Sequence, residues 1–141
     1  MVLPMDTLTS AQRSERMARV RAKGSVAELR VRSLVYRMGY RFRLHGAKLP
    51  GKPDLVFAAR RKLIFVHGCF WHRHRDPNCR LARLPKSRQD FWTPKLEGNR
   101  ARDERTLAAL ERLGWTVLTI WECQMRDEAF LRNKIRTFFE S

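Results

Sequence analysis

A chain of 141 residues is sized for one domain with a single modest core, and its 43% apolar content is ordinary for a globular protein. It has no apolar run of membrane-spanning length and no charged start followed by a hydrophobic stretch, so neither a membrane span nor a secretory signal is expected. Thirty Lys plus Arg against fourteen Asp plus Glu give a net charge of +16, a field that points to nucleic acid ahead of an anionic membrane or a ribosomal partner.

In chain order, residues 1–8 read as a loose terminus. "TSAQRSERMARVRAK" (9–23) combines helical propensity with few apolar residues and many arginines, which predicts a surface helix lying along a phosphate backbone and ended by Gly24. "SVAELRVRSLVYRMG" (25–39) predicts an amphipathic helix with Val26, Leu29, Leu34, Val35 and Met38 inward and Gly39 closing it. Ser25-x-x-Glu28 has the form of a capping box, so a structural role for Glu28 stands beside any functional one. "YRFRLH" (40–45) alternates as a half-buried strand, and 48–53 is a turn-rich loop. "DLVFAA" (54–59) and "KLIFVHG" (62–68) form a hairpin turning at Arg60 and Arg61. After a basic loop (80–90), Thr93 caps a helix with Pro94 in its first turn, running to Leu113 and stopped by Gly114. "WTVLTIW" (115–121) is a buried strand, and 126–140 a terminal helix with Phe130, Leu131, Ile135 and Phe138 inward. The order α-α-β-β-β-α-β-α predicts an α/β fold in which helices cover a mixed sheet, all in one domain.

Chemistry concentrates in "VHGCFWHRHRDPNC" (66–79), which holds three of the four histidines and two of the three cysteines. An odd cysteine count argues against a closed disulfide framework. Cys69, Cys79 and Cys123 with one histidine would complete a tetrahedral Cys3His set, the closed type of a structural zinc site. A reduced pair or a Cys69–Cys79 disulfide is the alternative, and spacing alone leaves His72 and His74 equal as fourth ligand. Pro53-Asp54 opens a strand after a glycine-proline loop. A carboxylate there suits Mg2+, which takes hard oxygen ligands and activates water, against the commoner fate of a turn aspartate.

Nucleases of the PD-(D/E)xK superfamily carry an Asp after Pro on one strand and Glu-x-Lys on its hairpin partner. Here that place reads Phe65-Val66-His67, without the second acid or the lysine. "LPGKPDLVF", "IFVHGCFWH", "FWTPKLEGNRARD" and "LGWTVLTIWEC", within residues 9–124, together resemble the very short patch repair (Vsr) endonucleases. That family nicks DNA 5′ to the thymine of a T:G mismatch left by deamination of 5-methylcytosine.

The resemblance implies a restriction-endonuclease-like mixed central sheet flanked by helices, with a structural zinc site. Asp54 matches the family's magnesium-binding aspartate, joined by the backbone carbonyl of Val66, and His72 matches its general acid/base. Glu28 corresponds to the acid that holds a metal-bound water, while His67 and Asp103 align with supporting active-site residues. His74, not His72, aligns with the zinc histidine beside Cys69, Cys79 and Cys123, since a zinc-bound imidazole cannot also exchange a proton. Phe70, Trp71 and Trp92 resemble a wedge that enters the base stack next to the mismatch, where unstacking costs least. Met17, Lys95 and Asn99 align with contacts to the mismatched pair, whereas Trp115 and Trp121 are read as core.

Two departures stand out: a longer His74-to-Cys79 spacer, and valine at 66 where a threonine is common. The implied cofactors are catalytic Mg2+ and structural Zn2+, and the partner is double-stranded DNA with a T:G mismatch. Mismatch-repair proteins are candidate further partners, and the expected state is a cytoplasmic monomer, nucleoid-associated when on DNA. The competing readings are a related nuclease for a different mismatch or sequence context, and a catalytically inactive zinc module that binds distorted DNA.

Overall fold

The computed structural model describes residues 26–141; the helix expected over 9–23, Met17 and the Ser25 half of the capping box lie outside the described residues. In order come α1 (Val26–Arg37), β1 (Arg43–Leu44), β2 (Leu55–Phe57), β3 (Lys62–His67), α2 (Gln89–Arg112), β4 (Thr116–Trp121) and α3 (Glu128–Glu140). The strands make one sheet in the order β1-β2-β3-β4. The β1–β2 and β2–β3 pairs are antiparallel, whereas β4 runs parallel to β3 because the chain crosses back through α2.

β3 is a continuous apolar run because both of its faces are covered. Ile64 packs with Val31, Leu34 and Val35 of α1 and with Leu131, Ile135, Phe138 and Phe139 of α3. Leu63 and Phe65 point the other way, against Leu110 of α2. The two-residue period of a strand then places Val66 on the α1/α3 face and His67 on the α2 face. Lys62 is buried and its Nζ closes the end of α3, donating to the Phe138 carbonyl and, at 3.2 Å, to that of Ser141.

Several sequence expectations shift. Val26, Leu29 and Phe130 are exposed, and Phe139 takes the inward place expected of Phe130, stacking on Tyr40 at 3.9 Å between centroids. Only Arg43–Leu44 of the 40–45 stretch pairs in the sheet, although Phe42 still packs edge-on to Phe57. The hairpin turn begins earlier than expected, in a 3-10 turn over Ala58–Arg60, and Arg61 completes it in the left-handed region. The long helix begins at Gln89, a turn before Thr93, and carries Pro94 inside it. The missing Pro94 amide forfeits one hydrogen bond near the helix start. The earlier start brings Phe91 and Trp92 onto the helix, and Trp92 packs edge-on to Phe70 and Trp71.

Candidate active site and metal centre

Strand register builds the site. His67 of β3 lies opposite Trp121 of β4, so Cys69 and Cys123, each two residues farther along parallel chains, leave the sheet side by side. The Cys123 amide lies 3.3 Å from the Cys69 sulfur. The following loop folds back on itself through His72 N–H to Gly68 O (3.1 Å) and His74 N–H to Cys69 O (2.9 Å). This winding sends alternate histidines in different directions. His74 stacks on Trp121 (4.1 Å, 11°) with Nδ1 3.5 Å from the Cys123 sulfur, while His72 turns toward α2. The longer spacer is taken up by a turn in which the Asp76 side chain accepts from Asn78 N–H and its carbonyl from Cys79 N–H.

The donor atoms of Cys69, His74, Cys79 and Cys123 all lie within 4.8 Å of one another, and the three cysteines are free. Burial pushes the Cys69 and Cys123 thiols up, and the neighbouring Cys79 thiol adds to the rise in each. Three crowded thiols and an imidazole fit a soft tetrahedral dication, which would carry the thiolates' charge.

The second cluster lies on the α2 face. His67 and His72 stack at 3.8 Å and 5°, and His72 Nδ1 meets Asp103 Oδ2 at 2.6 Å. Burial, then the neighbouring His72, pushes the His67 imidazole down to about 3, with Asp103 pulling the other way. His67 is therefore neutral at any working pH. Asn99, one turn before Asp103, donates to the Trp71 carbonyl at 3.1 Å. Phe70, Trp71 and Trp92 form a three-ring cluster with centroids 5.2–6.0 Å apart, and the Lys95 amine sits 5.7 Å from the Trp71 ring. Trp115 packs against the α2-side core, as expected, but Trp121 is partly buried among the cysteines and histidines.

The third cluster is acidic. Asp54 Oδ2 accepts from Val66 N–H at 2.6 Å. A strand residue directs its N–H and C=O to the same side, so the Val66 carbonyl faces the Asp54 edge as well. Burial raises the Asp54 carboxyl to about 7 against the pull of the Val66 N–H, and the adjoining Glu28 carboxyl adds to the rise. For the buried Glu28, burial also pulls upward, but hydrogen bonds from Asp54, His45 and Arg32 outweigh it and hold the group below its usual range. Two carboxylates sharing a proton are hard oxygen donors whose proton a divalent cation would replace, which fits magnesium. The loop before Asp54 needs Gly51: its φ is +73°, and a Cβ would meet the Thr106 side chain at 2.3 Å.

Two residues of this cluster escaped the sequence reading. Arg32 pairs with Glu28 across one helical turn, and His45 Nε2 lies 3.2 Å from Glu28 Oε2. Helical spacing signalled the first. The second is visible only once the β1–β2 register, which pairs Leu44 with Leu55, puts His45 beside Asp54.

Glu28, Asp54, His67, His72 and Asp103 line one cleft of about 900 Å³, with Trp71 at its wall. An acid pair opposite a carboxylate-oriented imidazole, in a chain of +16, is the equipment of a phosphodiester-cleaving enzyme. Comparison with known proteins narrows the class. The family model described as "DNA mismatch endonuclease Vsr" matches residues 5–79. The chain is 49% identical to the "Type II nicking enzyme V.XorIIP" of Xanthomonas oryzae pv. oryzae, covering 96% of this chain and 97% of that protein. It is 39% identical to the "DNA mismatch endonuclease Vsr" of Escherichia coli K12 over 94% and 83% of the two chains. It is 34% identical to the "Type II nicking enzyme V.NmeAIP" of Neisseria meningitidis over 92% and 91%. The chain belongs to the Vsr family of DNA mismatch endonucleases and is a DNA-cutting hydrolase.

Proposed function

We propose that this enzyme nicks one strand of duplex DNA 5′ to the thymine of a T:G mismatch, on a restriction-endonuclease-like single domain. The observation that carries the reading is the convergence of Asp54, Val66 and Glu28 on one side of the cleft with the His72–Asp103 pair on the other. Asp54 and the Val66 carbonyl would hold magnesium, with Glu28 orienting a water beside it. When bound there, the ion supplies charge neutralisation at the phosphate and a more acidic water.

The remaining steps belong to the chain. His72, held at Nδ1 by Asp103, delivers its Nε2 proton to the departing 3′ oxygen as the phosphorus–oxygen bond breaks, while the attacking water releases its proton to solvent, from which His72 is reprotonated. His67, neutral and stacked on His72, keeps that ring in place without a competing charge. Phe70, Trp71 and Trp92 enter the base stack next to the mismatch, with Lys95 and Asn99 alongside the mismatched pair. The zinc cage of Cys69, His74, Cys79 and Cys123 would fix the loop that carries Phe70, Trp71 and His72, against which Trp92 of α2 packs.

A labelled duplex with one T:G pair in varied flanking sequence tests this directly. With magnesium, the expected product is a single nick on the thymine strand, favoured in some contexts. Binding without cleavage in every context would refute it.

A further inference from the structure

His45 has no catalytic or metal-holding role in the site as assigned above, yet its ring reaches the Glu28 carboxylate and lies within 4.8 Å of an Asp54 carboxylate oxygen. Its N–H donates to the Asp54 carbonyl at 3.0 Å, and Gly46 N–H pairs with Pro53 O at 3.0 Å. These bonds continue the β1–β2 ladder two steps past its last regular pair, Leu44 with Leu55. They hold His45 at φ 50°, in the left-handed region.

The side chain reaches across to α1. His45 Nε2 is 3.2 Å from Glu28 Oε2, the same oxygen that accepts from Arg32 Nη2, and Arg32 Nη2 is itself 3.2 Å from His45 Nε2. Arg32 can only donate, whereas the imidazole tautomer with its proton on Nε2 donates to that oxygen too. The two donors come from different elements, one on Glu28's own helix and one on the hairpin that carries Asp54. Arg32 holds Glu28 only to its own helix, and the proton that Glu28 shares with Asp54 is the one a bound cation would displace. His45 ties the carboxylate to the strand edge where Asp54 sits.

We infer that His45 is a positioning residue for the magnesium seat, holding Glu28 in register with Asp54 through the Nε2–Oε2 hydrogen bond. The inference rests on the reading of Asp54 and Glu28 as that seat. Partners of this kind, one step removed from the ion, set ligand orientation and are worth roughly 10- to 100-fold in metal affinity or rate.

The test uses the full-length, zinc-loaded protein and three chains: wild type, His45→Gly and His45→Gln. Glycine suits the positive φ, so it removes the imidazole without straining the turn. Glutamine restores a side-chain N–H donor. Two readouts are taken: the rise in Tm on adding magnesium chloride without DNA, and single-turnover nicking of a T:G duplex with its KM for DNA. For His45→Gly, the expected result is a smaller magnesium-induced rise in Tm and nicking slower by about tenfold. The KM for DNA stays unchanged. His45→Gln recovers to within about threefold of wild type in rate, and its response to magnesium returns. Equal behaviour of His45→Gly and wild type in both readouts overturns the inference, as does a glutamine variant no better than the glycine one. Should wild type itself neither gain Tm with magnesium nor nick T:G DNA, the reading of the seat falls first and this inference with it.

Discussion

Asp54→Asn separates what the acid pair does for catalysis from what it costs the fold. An asparagine oxygen keeps the acceptor for Val66 N–H, 2.6 Å away in the native site, and its NH2 replaces the proton shared with Glu28. A carboxyl whose folded value lies above its unfolded one stabilises the fold at low pH and withdraws that stability as pH rises. For Asp54 the window runs from an ordinary 3.8 to about 7. At 1.36 kcal/mol per pH unit the gap amounts to roughly 4 kcal/mol above neutrality. Glu28, held below its usual range, returns part of this.

Without added magnesium at about pH 8, Asp54→Asn should therefore raise Tm by several degrees, at about 2–4 °C per kcal/mol for a chain of this size. The gain should shrink toward about pH 5, where wild-type Asp54 keeps its proton. Nicking is abolished while binding to mismatched DNA persists. Thermal melts of both proteins across that pH range are the assay. A Tm at pH 8 no higher than wild type, or a gain independent of pH, would refute the account of the pair.

Cys79→Ser should drop zinc content from about one ion per chain toward none and lower Tm, read by metal analysis and melting, because three ligands no longer close the cage. Asp103→Asn removes the carboxylate 2.6 Å from His72 Nδ1, and single-turnover nicking should fall by about a hundredfold with DNA affinity intact. Asn99→Ala deletes the donor to the Trp71 carbonyl. Affinity for T:G duplex should weaken by about fivefold, near 1 kcal/mol, with matched duplex unaffected in a gel-shift titration.

The sequence by itself determined the local pieces. Apolar periodicity gave α1, α3 and the β2–β3 hairpin, because amphipathic spacing and continuous apolar runs are properties of neighbouring residues. It did not locate the start of α2, since Thr93-Pro94 has good capping chemistry while the helix gains more from packing Trp92 on Phe70 and Trp71. The Cys and His residues of 66–79 announced a metal cluster, but counting positions could not choose between His72 and His74. The tertiary structure separates them, for the parallel β3–β4 register fixes Cys123 beside Cys69 and turns one histidine to the sulfurs and the other to Asp103. His45 is the sharpest case. Nothing in "YRFRLH" marks its histidine as part of a site, and only the pairing of β1 with β2 carries it to Asp54 and Glu28. Side-chain chemistry is written along the chain, whereas the distances that turn it into a site are set by strand register, which depends on residues far apart in sequence.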